Sequence, residues 1–142
     1  MRNKQEYDLQ CQIVEWFNLQ YPELADKLHH SPNGEVRPSK TYINKRGETK
    51  RYCPSGQRLK KMGTKAGFPD LVLFHHREVW DSSQRIRYFY CGLAFDMKRP
   101  GEKLSKEQDN WMKDLSRSGF FTPTFIVDTF EKAVSLINVY LR

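Results

Sequence analysis

Two stretches decide how this chain folds: Gly67-Phe68-Pro69-Asp70-Leu71-Val72-Leu73-Phe74 and Gly92-Leu93-Ala94-Phe95-Asp96-Met97-Lys98. The unbroken apolar run after Asp70 is the pattern of a strand buried inside a sheet. The second stretch closes a long strand expected from about Arg87 to Lys98, ended by Pro100-Gly101. Side chains alternate along a strand, so Leu93, Phe95 and Met97 are expected to face a core. Asp96 and Lys98 then share the opposite face with Gly92 and Ala94, whose small size is expected to leave open space beside the two charges. Unpaired charges on a buried strand are costly. The pair is therefore either an ordinary ion pair at a strand end or a functional group. Asp70 bears on the choice, because it opens its strand after Gly-x-Pro and can project from the sheet end toward its neighbour. Two carboxylates on adjacent strands make a hard-oxygen site suited to Mg²⁺ or Mn²⁺. Such an ion activates water and neutralises charge on a phosphate, while a nearby lysine orients the nucleophile.

Outward from these strands the chain reads as a mixed α/β protein. Leu9, Ile13, Trp16 and Phe17 form one stripe of a helix from Gln5 to Gln20, stopped at Tyr21-Pro22. His29 to Gly34 reads as a short extended piece. Thr41 to Cys53 is either a basic β-hairpin turning near Arg46-Gly47 or a mobile loop, and Gln57 to Met62 is a short helix closed by Gly63. A polar loop runs through Asp81-Ser82-Ser83. Further helices are expected over Ser105–Ser118 and Phe130–Leu141, with a strand over Thr122–Val127 between them. This order predicts one domain over residues 1–142, a small sheet flanked by helices. Phe89, Phe95, Trp111 and Phe125 are expected in the core.

Net charge is +7 at 142 residues. It is concentrated: Lys40, Lys45, Arg46, Lys50, Arg51, Arg58, Lys60, Lys61 and Lys65 are opposed between positions 40 and 65 by Glu48 alone. That is either a solvated basic loop or a face for a polyanion. No apolar run could span a bilayer, and the first residues lack the apolar core of a secretory signal. Cys11, Cys53 and Cys91, widely spaced and odd in number, read as reduced thiols. Cytoplasmic placement, in a bacterial or phage-infected cell, is the expectation.

Pro69-Asp70 followed by Asp96-x-Lys98 resembles the signature of the PD-(D/E)XK nucleases. The surrounding residues narrow the resemblance to the VRR-NUC type. They are Glu6-x-x-x-Gln10, Ser31-Pro32-Asn33-Gly34, Leu59-Lys60-x-Met62-Gly63-x-Lys65-Ala66-Gly67, Gly92-Leu93, and Leu104-Ser105-x-Glu107-Gln108. The resemblance implies a restriction-endonuclease-like mixed sheet flanked by helices. It also implies divalent-metal-dependent hydrolysis of DNA, and, for members that stand alone, homodimers acting on branched DNA such as a Holliday junction. Two features depart from the family pattern: Asp96 stands where Glu is commoner, and residues 40–54 form a longer, more basic insertion.

On this reading Asp70 and Asp96 hold the metal, the Met97 carbonyl completes the site, and Glu6 binds directly or through water. Lys98 positions the attacking water. Glu6 falls within the apolar stripe of its helix, while Asp8 and Glu15 lie opposite; its alternative is a first-turn acid favoured by the helix dipole. Gln108 either joins the catalytic group or serves only a capping box with Ser105. Asn33, Lys45, Arg46, Lys50, Arg51, Lys60, Lys61 and Lys65 are the candidate DNA contacts, and Tyr42 and Tyr52, set within the basic segment, could stack on bases. His29, His30, His75 and His76 are read as non-catalytic. A non-catalytic DNA-binding protein on a nuclease-like scaffold, or an RNA-processing enzyme, are the rival functions.

Overall fold

A computed structural model describes residues 4–31, 39–119 and 125–142. Helix α1 (Lys4–Gln20) forms over the expected apolar stripe, with Ile13 and Phe17 fully buried. It ends at Tyr21-Pro22, and Pro22 then starts a 3₁₀ turn over Pro22–Lys27. Strand β1 (Leu28–His30) follows. Residues 32–38, including Asn33, lie outside the described residues.

Strands β2 (Lys40–Ile43) and β3 (Thr49–Tyr52) pair as the hairpin rather than a loop. Its turn is tied by Asn44, whose Oδ1 accepts from the backbone N–H of Arg46 and of Glu48, each at 2.9 Å. Helix α2 (Pro54–Lys61) begins earlier than its apolar pattern suggests. Pro54 suits a first turn, and the Cys53 sulfur caps it by accepting from Gly56 N–H at 3.4 Å.

The expected long strand over 87–98 is two strands. After β4 (Leu71–Leu73), β5 (Arg77–Asp81) and β6 (Ile86–Tyr90) form a separate antiparallel ribbon. The chain then crosses Cys91-Gly92 into β7 (Leu93–Met97). The turn that makes this possible is built by Asp81, whose Oδ1 accepts from Ser83 N–H, Ser83 O–H and Gln84 N–H. Phe89, expected in the core, is 62% exposed because it belongs to this ribbon and not to the main sheet. Helix α3 (Lys106–Arg117), strand β8 (Phe125–Val127) and helix α4 (Phe130–Leu141) complete the order.

The main sheet runs β1-β4-β7-β8. Its first three strands are antiparallel neighbours and β8 is parallel to β7, so it is mixed, as expected. Leu71, Leu73, Leu93, Phe95, Met97 and Val127 face Ile13 and Phe17 of α1 and Ala133, Ile137 and Tyr140 of α4. Burying each large member of that core is worth roughly 1.5–3 kcal/mol. The alternate residues Val72, Ala94 and Asp96 point from the other face, and all three have no exposure. The open space expected beside Asp96 is therefore closed: Ala94 and Asp96 lie under cover, not in a groove. No described helix is long and apolar enough to cross a membrane.

Candidate active site

Asp70 is set in place by its backbone. Its carbonyl accepts from Ser31 N–H at 3.1 Å, and His30 Nδ1 lies 3.0 Å from the same oxygen, a hydrogen bond when that nitrogen carries the proton. The loop leading into it is clamped to α3. Gly67, at φ +80°, lies so close to that helix that a Cβ would sit 2.6 Å from the Glu107 backbone carbon. Trp111 Nε1 donates to the Ala66 carbonyl at 3.1 Å, and the Phe68 ring meets Trp111 edge-on at 5.2 Å. The Gly-x-Pro stretch thus fixes where the first carboxylate emerges.

The two aspartates then lock to each other's strands. Asp70 N–H donates to Asp96 Oδ1 at 3.2 Å, and Met97 N–H donates to Asp70 Oδ2 at 3.0 Å. Among the described residues, Asp96 Oδ2 is buried with no hydrogen-bond partner. Burial foremost, then the adjacent Asp70 charge, pushes Asp96 up to about 7, against the opposing pull of Lys98. Lys98 follows β7, held by its N–H to the Val127 carbonyl at 2.9 Å. Its side chain lines a pocket of about 210 Å³ together with Gln5, Glu6, Leu9, Arg99, Pro100 and Asp128.

Glu6 is half-buried in that pocket, whereas Asp8 and Glu15 are exposed, as the helical stripe predicts. Burial raises its pKa first; Lys98 lowers it, and Glu102 and Asp70 raise it. The helix therefore brings Glu6 within electrostatic reach of Asp70 and Lys98. Glu102, which sequence reading passed over, is held by Arg99 Nε at 3.2 Å after the chain reverses at Pro100-Gly101. The reversal was visible in the sequence; the contact across it was not. Gln108 closes the capping box: its Oε1 accepts from Ser105 N–H at 3.0 Å, and its own N–H donates to Ser105 Oγ at 3.2 Å. Its side-chain oxygen is thus engaged at the helix start, beside the Gly67 loop.

Among the described residues, no three His, Cys, Asp or Glu side chains converge as a ready-made metal cluster. What is present is a two-carboxylate set, one member of which carries a buried oxygen without a donor. That orphan oxygen, on an acid whose anion is disfavoured by burial, fits a hard divalent cation whose other ligands are carbonyls and water. The candidate DNA-contacting cations come before Asp70 in the chain. Lys45 and Arg46 occupy the β2–β3 turn, Lys50 and Arg51 lie on β3, Lys60 and Lys61 on α2, and Lys65 in the loop before Gly67; all are exposed.

The VRR-NUC domain family model matches residues 1–125. The chain belongs to the VRR-NUC domain family. This is a nuclease-type domain family. A solved structure described as a VRR_NUC domain protein has the same fold, with a TM-score of 0.66 and 21% identity. The match covers 99% of this chain and 91% of that one. No curated protein matches.

Proposed function

We propose that this VRR-NUC protein hydrolyses phosphodiester bonds in DNA with the help of Mg²⁺ or Mn²⁺. The observation that carries the reading is the buried Asp96 carboxylate, locked against Asp70, with one oxygen unpartnered and Lys98 beside it. Asp70 and Asp96 would hold the ion, with the Met97 carbonyl and Glu6 as further ligands, Glu6 directly or through water. The bound ion supplies Lewis-acid activation of water and neutralises charge developing on the phosphate. Lys98 orients the attacking water and offsets negative charge on the phosphate. Ser105 and Gln108 fix the start of α3, and the Gly67 loop docked there sets the position of Asp70; a direct catalytic part for Gln108 belongs to the same proposal.

The basic segment is read as an addition to the nuclease core that contacts DNA phosphates, with Asn33 joining it. The reading extends to a homodimer that prefers branched DNA, since resolving a junction takes two opposed cuts and a two-fold dimer presents two matched sites. Light scattering with and without four-way DNA checks the assembly, and a monomer in both conditions removes it. Equal cutting of linear and four-way substrates removes the preference. The decisive experiment is cleavage of linear, flapped and four-way DNA, and of RNA, with Mg²⁺, Mn²⁺ or EDTA. Asp70→Ala and Lys98→Ala should abolish cutting while keeping the fold and most DNA binding. Undiminished metal-dependent cutting by either variant removes that residue from the mechanism, and DNA binding without cutting by the native chain leaves only a scaffold.

A further inference from the structure

The β2–β3 ribbon has two chemically different faces. Directly opposed residues of an antiparallel pair share a face. The register Lys40↔Tyr52 and Tyr42↔Lys50 therefore places those four side chains together. Thr41, Arg51, Ile43 and Thr49 occupy the reverse. On the first face, cation and ring alternate both along and across the ribbon, so that each tyrosine has a lysine beside it in both directions. Tyr42 is 53% exposed and Tyr52 41%. A two-stranded ribbon has no core in which to bury such rings, and among the described residues neither is stacked on another aromatic ring. The turn is braced by Asn44, so the face is held in shape before any ligand arrives. Lys50 Nζ lies 3.1 Å from Glu48, an exposed pair that a phosphate can displace at little cost.

We propose that this face is a platform for the unpaired nucleotides of a DNA strand, with bases stacked on Tyr42 and Tyr52 and flanking phosphates on Lys40 and Lys50. This rests on the DNA reading above and narrows it to substrates that offer single-stranded residues. Diagonal neighbours on one face of such a ribbon are about 7–8 Å apart, enough for each ring to take its own base. Duplex DNA keeps its base faces stacked internally, so the rings have nothing to gain from it. The lysines alone would serve either form.

The test is fluorescence anisotropy of the full chain with labelled oligothymidylate and with a blunt duplex, in EDTA to prevent cutting. Tyr42→Leu with Tyr52→Leu should weaken oligothymidylate binding about fivefold or more per ring. The slope of log affinity against log salt should stay unchanged, and duplex binding should barely move. Tyr42→Phe with Tyr52→Phe keeps the rings and should bind like the native chain, which separates stacking from loss of the hairpin. Lys40→Ser with Lys50→Ser should instead flatten the single-strand slope by about 0.7 per lysine. Ile43→Ser, on the reverse face, should change neither. Unchanged oligothymidylate binding by the leucine variant, or an equal loss on duplex, overturns the platform. If the native chain cuts no DNA yet the leucine variant loses the oligonucleotide, the nuclease reading fails and the platform stands. If cutting is robust and the tyrosines are indifferent, only the platform fails.

Discussion

Asp96→Asn removes the charge from the most enclosed carboxylate of the site and keeps an oxygen to accept from Asp70 N–H. In the native chain, burial and the Asp70 charge move this acid from 3.8 to about 7. Between those values the folded state holds a proton that the unfolded state has released, so stability falls as pH rises through the window. Below pH 4 both states are protonated and the penalty is absent; above about 7 it is complete. A displacement of that size corresponds to about 4 kcal/mol. Asparagine has no such penalty, but its amide N–H₂ must re-form the side-chain hydrogen bond that Asp96 shares with Asp70, and an imperfect fit there costs about 1–3 kcal/mol. The variant should therefore exceed the native chain in stability at pH 8 by about 1–3 kcal/mol and lose that advantage near pH 4. Urea denaturation across this range, in chelator, measures it. Mg²⁺ or Mn²⁺ at a hundred times its dissociation constant should return about 2.7 kcal/mol to the native chain and much less to the variant. DNA cutting should be lost. A variant less stable than its parent at pH 8, or equal stabilisation of both by metal, refutes the reasoning.

Glu6→Gln should reduce cutting or weaken metal binding while Glu15→Gln leaves both unchanged; indistinguishable variants would remove Glu6 from the site. Replacing Lys45, Arg46, Lys50 and Arg51 with Ser should weaken duplex binding and flatten its salt slope by up to about 0.9 per contacting residue. An unchanged slope in salt titrations would show a merely solvated segment. Gly67→Ala places a methyl against the α3 backbone at a positive φ. It should destabilise the chain by about 1–3 kcal/mol in thermal or urea unfolding and lower cutting by shifting Asp70; native stability and activity would show that the loop can move away from α3.

What could be read in advance depended on how local the signal was. The unbroken apolar run after Asp70 and the alternation leading to Lys98 are local patterns, and Glu6 needs only the helical stripe, so the core-facing residues of β4, β7 and α1 were predictable. Strand β5 is not legible in the sequence, because a ribbon outside the main sheet lacks a strong one-sided apolar pattern and its polar turn has the composition of a loop. The same omission put Phe89 in the core. His30 on the Asp70 carbonyl and Gly67 against Glu107 join segments some forty residues apart, and no spacing rule connects them. Whether the second face of β7 would be open or covered depended on tertiary packing, which side-chain size alone did not decide.

Asp96 remains the residue that structure alone does not justify. Its neighbours Ala94, Phe95 and Met97 are equally buried and apolar, and a neutral side chain there would avoid the electrostatic cost. Its Oδ1 does receive Asp70 N–H, but Oδ2 receives nothing, so the hydrogen bonding offsets only part of the cost. Ordinary surface acids escape such a conflict by reaching water; this one is fixed at the centre of a sheet by pairing with Asp70's strand. A local rule broken without structural compensation points to a function that uses the broken rule. Here the same features that disfavour the free anion favour a bound cation, so ligand binding and stability draw on one carboxylate. The stabilisation by metal and the cutting of DNA should consequently vanish together in Asp96→Asn, which a purely structural role for the residue would not predict.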